Sequence, residues 1–139
     1  NLLLTVSRTV NKERWTYFME EITFGKYLSQ LREKKDVTLR ELARQIGVSA
    51  PFLSDVEKDR KPPLTAERLE KVAEALHLSK EERDEMNILI GKQRGTIAPD
   101  LPEYIMHDYV SNALRTAKDL DAGEEEWLHF IEELKKKKR

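Results

Sequence analysis

Between Thr23 and Lys35 the apolar residues Phe24, Tyr27, Leu28 and Leu31 recur at intervals of three and four, which predicts an amphipathic helix. The period returns in Leu39, Leu42, Ala43 and Ile46, preceded by "TLRE", where Thr38 as N-cap and Glu41 three residues on fit a capping box. Gly47 ends this helix as a left-handed C-cap residue should. Ser49 is placed to cap a third helix, and Pro51 is tolerable in its first turn, whose amides have no helical partner. Phe52, Leu53 and Val56 are expected to face inward at most partly, with Ser54, Asp55 and Lys58 on the polar side.

"KDRKPPL" follows as a basic, proline-punctuated loop. A fourth helix is predicted from Thr65 through Leu69, Val72, Ala73 and Leu76. "SKEE" from Ser79 is a second capping box, opening a fifth helix through Met86, Leu89 and Ile90. Gly91, Gly95 and Pro99 then mark a break. After it, "DLPE" predicts a helix capped by Asp100, with Pro102 in its first turn and an apolar stripe of Ile105, Tyr109, Val110, Ala113, Leu114 and Ala117. A last helix begins near Asp121 and carries Trp127, Phe130, Ile131 and Leu134 on one face. These two helices are expected to form a hairpin too small to bury both stripes alone. No strand-like alternation follows Met19, so the fold class is all-α: five helices in residues 23–92, a linker at 93–101, and a helical hairpin with a basic tail in 102–139.

Residues 1–22 read as an N-terminal extension. The chain starts at Asn1, and its first methionine is Met19. Lys12-Glu13-Arg14 can be encoded by a purine-rich run resembling a bacterial ribosome-binding site, four codons before Met19. Residues 1–18 are therefore read as a translated leader, the alternative being a genuine extension, helical from Asn11 onward.

Charge changes the picture more than overall composition does. Net charge is only −1, yet residues 23–65 hold nine Lys/Arg against six Asp/Glu, while residues 66–134 hold eight against seventeen. The tail "KKKKR" is wholly basic. Such asymmetry permits a nucleic-acid face on one segment while the remainder repels phosphate. With no cysteine there is no disulfide, thiolate metal site or cysteine nucleophile, which suits a reducing cytoplasm. No apolar run approaches a membrane span, and the opening "NLLLTV" is too short and poorly flanked for a signal peptide.

Two helices joined by a Gly-Val-Ser elbow, within five short helices, match the helix-turn-helix arrangement. Ala43 must be small where the helices cross, and Gly47 must adopt a backbone conformation that a Cβ would oppose. Ile46, Val48, Leu53 and Val56 must lock the pair into the core, leaving Ser49 to Lys58 free to lie in a major groove. The strings "LSQLREKKDVTLRELARQIGVSAPFLSDVEK" and "LEKVAEALHL" carry a more specific likeness. Residues Phe24 to Leu76 resemble the Xre/Cro-type (lambda-repressor-like) helix-turn-helix family of bacterial and phage transcriptional regulators.

The resemblance implies a DNA-binding role. An arginine late in helix 1 would pair with a glutamate late in helix 3, positions held here by Arg32 and Glu57. Phosphate contacts would come from Thr38, Arg40, Arg60 and Lys61, with Lys58 adjacent. The base-reading face would be Ser49, Ala50, Pro51, Ser54 and Asp55. This face lacks the Arg, Gln and Asn that make bidentate base contacts. Ser54 and Asp55 can meet base edges, and Ala50, Pro51 or Phe52 a thymine methyl. Affinity would then depend on dimerisation or DNA shape.

No enzymatic constellation competes with this. His77, His107 and His129 have no ligand-like spacing, and His77 reads as a favourable cation at the end of helix 4. "EEEW" and "IEEL" follow helical periodicity without a His or Lys partner, and no glycine-rich phosphate loop is present. Neither a metal nor another cofactor is expected. Tyr109, Leu114, Trp127, Phe130, Ile131 and Leu134 are the expected dimer or partner interface, although Trp127 and Phe130 also read as core packed on helix 5. The leading function is a cytoplasmic sequence-specific transcriptional regulator, a repressor acting as a homodimer on double-stranded DNA. The alternative is an antitoxin whose acidic C-terminal hairpin binds a toxin or protease.

Overall fold

The computed structural model describes residues 22–138. The leader reading of residues 1–18 lies outside these. Every described element is a helix: α1 (Phe24–Lys34), α2 (Leu39–Ile46), α3 (Ala50–Glu57), α4 (Ala66–Ala75), α5 (Lys80–Arg94), α6 (Pro102–Ile105), α7 (Asp108–Asp119) and α8 (Glu124–Lys137). They group into two compact units that divide between Asp100 and Leu101.

In the first unit each helix begins where a hydroxyl satisfies an amide that the helix itself cannot. Thr23, Thr38, Ser49, Thr65 and Ser79 cap α1 to α5, each accepting from the backbone N–H three residues on. Only the box at Ser79 closes in both directions, its N–H donating to Glu82 Oε1 at 2.9 Å. The box expected at Thr38 is half made. The Glu41 carboxylate turns instead to Arg44 and Gln45, whose hydrogen bonds hold it down at about 2.

The helices end as consistently as they start. Asp36, Gly47, Asp59, His77 and Gly95 take left-handed conformations after α1 to α5. Beyond each, the next amide returns to a carbonyl five residues back, as in Arg60 N–H to Asp55 O at 2.8 Å and Leu78 N–H to Ala73 O at 3.0 Å. Three of these five positions are Asp or His, types that tolerate this region better than most. His77 closes α4 through its left-handed backbone.

Helix α1 packs on α3 and α5, and α2 packs on α3 and α4. Phe24, Leu28, Leu42, Ile46, Leu53, Val56, Val72, Leu76 and Ile90 fill the centre, all under 2% exposed. Leu53 and Val56 are therefore wholly inside, as the elbow's packing requires and deeper than the pattern of α3 alone suggests. The fifth helix does not break at Gly91 but runs to Arg94, with Gly95 as its C-cap. A Cβ on Gly91 would stand 2.9 Å from Ala98 N, so the chain folds back over that glycine. Arg94 Nη2 donates to Pro63 O and Leu64 O at 3.2 and 3.3 Å, so much of the expected linker is tied into the first unit.

The second unit departs further from its sequence pattern. The helix predicted from Asp100 is two helices, with Leu101 as N-cap and no side-chain cap. His107 is extended between them, stacked on Tyr109 at 5.3 Å and edge-on to Tyr104 at 5.7 Å. Ser111 Oγ donates to Ile105 O at 2.7 Å, serving a carbonyl freed by the interruption. The final helix starts at Glu124 with Gly123 as N-cap, whose N–H donates to Glu126. No residue of α6, α7 or α8 is buried.

The α1–α5 contact contains two buried carboxylates with opposite fates. Burial pushes Glu82 up, but Ser79 N–H, Lys35 and Lys34 outweigh it and hold it below the ordinary value. Its ion pairs to Lys34 and Lys35 measure 3.2 and 3.1 Å. Glu85 is raised, chiefly by burial. Its Oε2 and Tyr27 Oη are buried near one another without a hydrogen bond of good geometry. A raised carboxylate adds stability in acid that is lost as pH rises through its folded value, and a lowered one does the reverse. Glu85→Gln is therefore expected to melt no lower than wild type at pH 7, and to lose wild type's relative gain on acidification towards pH 5. Glu82→Gln should lower the pH 7 melting temperature by several degrees. Thermal melts across this range check both, and a Glu85→Gln variant weaker than wild type at pH 7 contradicts the assignment.

Candidate nucleic-acid interface

Helix α3 is eight residues long, too short to persist without tertiary support. Gly47, at φ 77°, turns the chain from α2, and Val48 N–H returns to Ala43 O at 3.0 Å. Ala43 is 2% exposed at this junction. Leu53 and Val56 seat the inner side of α3, while its C-terminal end lies against the start of α1. A Cβ on Gly25 would stand 2.4 Å from Val56 O and 2.7 Å from Glu57 O. Asp59 then reaches back over the same place. It accepts from Gly25 N–H at 3.0 Å and from the Thr23 hydroxyl.

Arg32 completes this hold. Its Nε and Nη2 donate to Glu57 at 2.8 and 3.1 Å, and its Nη1 donates to Val37 O at 3.0 Å. One guanidinium thereby joins the end of α1, the turn into α2 and the last residue of α3. The side chains are 13% and 8% exposed, so this pair is far less screened than a surface one.

The outward side of α3 is sparsely polar. Ser49 and Pro51 are exposed, and Ser54 and Asp55 half-buried. Ala50 packs partly against the core. Ser49 Oγ accepts from Phe52 N–H at 3.1 Å, and Asp55 lies 3.7 Å from Arg60. Of the residues assigned to phosphate, Thr38, Arg40, Lys58, Arg60 and Lys61 are all exposed, with Thr38 Oγ1 accepting from Glu41 N–H. Phe52 gathers two cations: Lys61 Nζ and the Arg68 guanidinium each lie 5.5 Å from its ring centre. Arg68, from the first turn of α4, thus joins the basic residues beside α3.

Gly25, Asp59 and Arg68 were not singled out by sequence reasoning. Gly25 left a signal, since glycine inside an amphipathic helix suggests a close approach. Asp59 left none, because its partners lie 34 and 36 positions away. The residues assigned to an interface in the second unit are exposed, from Trp127 at 37% and Leu114 at 39% to Tyr109 at 66%. Among the described residues no cluster of three or more His, Cys, Asp or Glu could hold a metal ion, and no helix is long and apolar enough to cross a membrane.

Reversing either charge, as Arg32→Glu or Glu57→Arg, is expected to cost about 3 kcal/mol and lower the melting temperature by about 10 °C. The double exchange should recover part of that loss. Unchanged melting in both single variants would show that the pair does not hold α3.

Residues 23–86 match the helix-turn-helix domain family. Two uncharacterized HTH-type transcriptional regulators of Mycobacterium tuberculosis, from strains CDC 1551 / Oshkosh and H37Rv, are each 40% identical to the chain over 57 residues. That stretch is 41% of this chain and 40% of each relative, so the match covers well under half of either protein. No solved structure matches the chain. Over residues 23–86 the chain is thus similar to the helix-turn-helix domain family, and α2, the turn at Gly47 and α3 are arranged as that motif requires.

Proposed function

We propose that the protein is a sequence-specific DNA-binding transcriptional regulator of the Xre/Cro type, acting in the cytoplasm as a dimeric repressor and not as an enzyme. The observation that carries this reading is the mounting of α3. Its inner side and C-terminal end are held by Leu53, Val56, Gly25 and the Arg32–Glu57 pair, while Ser49, Pro51, Ser54 and Asp55 lie towards the outside. A helix held in this way enters a major groove at a fixed angle.

Base reading falls to Ser49, Ala50, Pro51, Ser54 and Asp55. Contact with the backbone falls to Thr38, Arg40, Lys58, Arg60 and Lys61, with Arg68 beside them. Phosphate contacts position a protein and supply salt-dependent affinity, and base contacts specify the site. The few polar groups on α3 make phosphate contacts and the pairing of two half-sites the main sources of affinity. Asp55 would leave Arg60 as it meets a donor such as a cytosine amino group, releasing that arginine towards phosphate.

A second reading has its own support. Among the described residues of the second unit none is buried and many apolar ones are exposed, which suits an antitoxin that docks a toxin or protease there. The two differ in whether the chain co-purifies with another small protein.

The test is binding to DNA just upstream of the chain's own gene, across a salt series. Wild type should bind in the nanomolar range and weaken as salt rises. Ser54→Ala with Asp55→Ala should lose sequence preference, and Lys61→Ala should weaken all sequences alike while lowering the log–log salt slope by about 1. Weak, sequence-indifferent binding by wild type would refute the reading.

A further inference from the structure

Helix α8 is a stretch of chain whose chemistry reads the same in both directions once charge is exchanged. Trp127, Phe130, Ile131 and Leu134 fall at the spacing of a single helical stripe, and are 37%, 53%, 44% and 43% exposed. Reversal about the point between Phe130 and Ile131 exchanges Trp127 with Leu134 and Phe130 with Ile131. It also exchanges Glu124, Glu125 and Glu126 with Lys137, Lys136 and Lys135. Even His129 changes places with Glu132. Only Leu128 and Glu133 fail to correspond.

We infer that α8 is a self-association surface whose occupant is α8 of a second copy, running antiparallel. A two-fold interface must be self-complementary, because one patch meets itself. Antiparallel pairing lays the acidic end of each helix beside the basic end of its partner, with the four apolar residues of both copies closed between. Parallel pairing would set glutamates against glutamates and lysines against lysines. Acid at the start and base at the end also suit a helix's own dipole. The dipole does not explain why a continuous apolar stripe occupies the middle of the same symmetric pattern. This inference rests on the dimeric part of the proposed function and supplies its geometry, while DNA binding stands or falls separately.

Sedimentation of the full chain without DNA tests it. Wild type should be a dimer that weakens as salt rises, since salt screens the attraction between unlike ends. The triple variants Glu124→Lys/Glu125→Lys/Glu126→Lys and Lys135→Glu/Lys136→Glu/Lys137→Glu should each self-associate about tenfold or more weakly. Mixed one to one, they should form a heterodimer. A wild type that stays monomeric overturns the inference and leaves the stripe to a different protein. A dimer indifferent to both charge sets, or one strengthened by salt, overturns it while preserving dimerisation elsewhere. The wild-type salt response reads pairing even if a triple variant loses helicity. Loss of operator binding alone bears on the proposed function and not on α8.

Discussion

The contact of α1 with the C-terminal end of α3 is the constraint on which the domain's geometry turns. An eight-residue helix gains little from its own hydrogen bonds, so its direction must be imposed from outside. Three kinds of force act within a few residues there. Gly25 lets the backbones meet at a distance that any side chain would prevent, and Asp59 supplies acceptors to the start of α1. The Arg32–Glu57 pair adds a charge-assisted, bidentate bond in a largely desolvated place. The pair's third hydrogen bond, to Val37 O, extends the hold to the turn that starts α2. Both helices of the elbow are thus referred to α1.

The same helix also carries the polar interior of the α1–α5 contact. Glu82 and Glu85 are one helical turn apart, yet one is drawn into pairs with Lys34 and Lys35 while the other is left with Tyr27. A paired carboxylate and an unpaired one pull stability in opposite directions with pH. The domain therefore keeps one buried group at a cost near neutrality, and its neighbour offsets that cost.

The second unit is built on different terms. Its helices are interrupted at His107, only α8 has a hydrogen bond from its capping residue back to a first-turn side chain, and none of their residues is buried. Local hydrogen bonding sets their bounds.

The positions of α1 to α5 were legible in the sequence because their signals are local. Hydroxyl caps at Thr38, Ser49 and Ser79, the left-handed Gly47 and the three-and-four spacing of apolar residues act within a turn or two of where they occur. The elbow was legible for the same reason, aided by a specific string. Glu41 misled because Arg44 and Gln45 compete for its carboxylate, and Gly91 because the chain folding back over it needs a glycine there within a continuing helix. The stripe from Ile105 to Ala117 kept helical periodicity across an interruption that periodicity cannot register. Asp59 reaching α1 and Arg68 over Phe52 belong to tertiary structure alone. Each depends on groups distant in the chain, and their energies exist only once packing has brought those groups within a few ångströms.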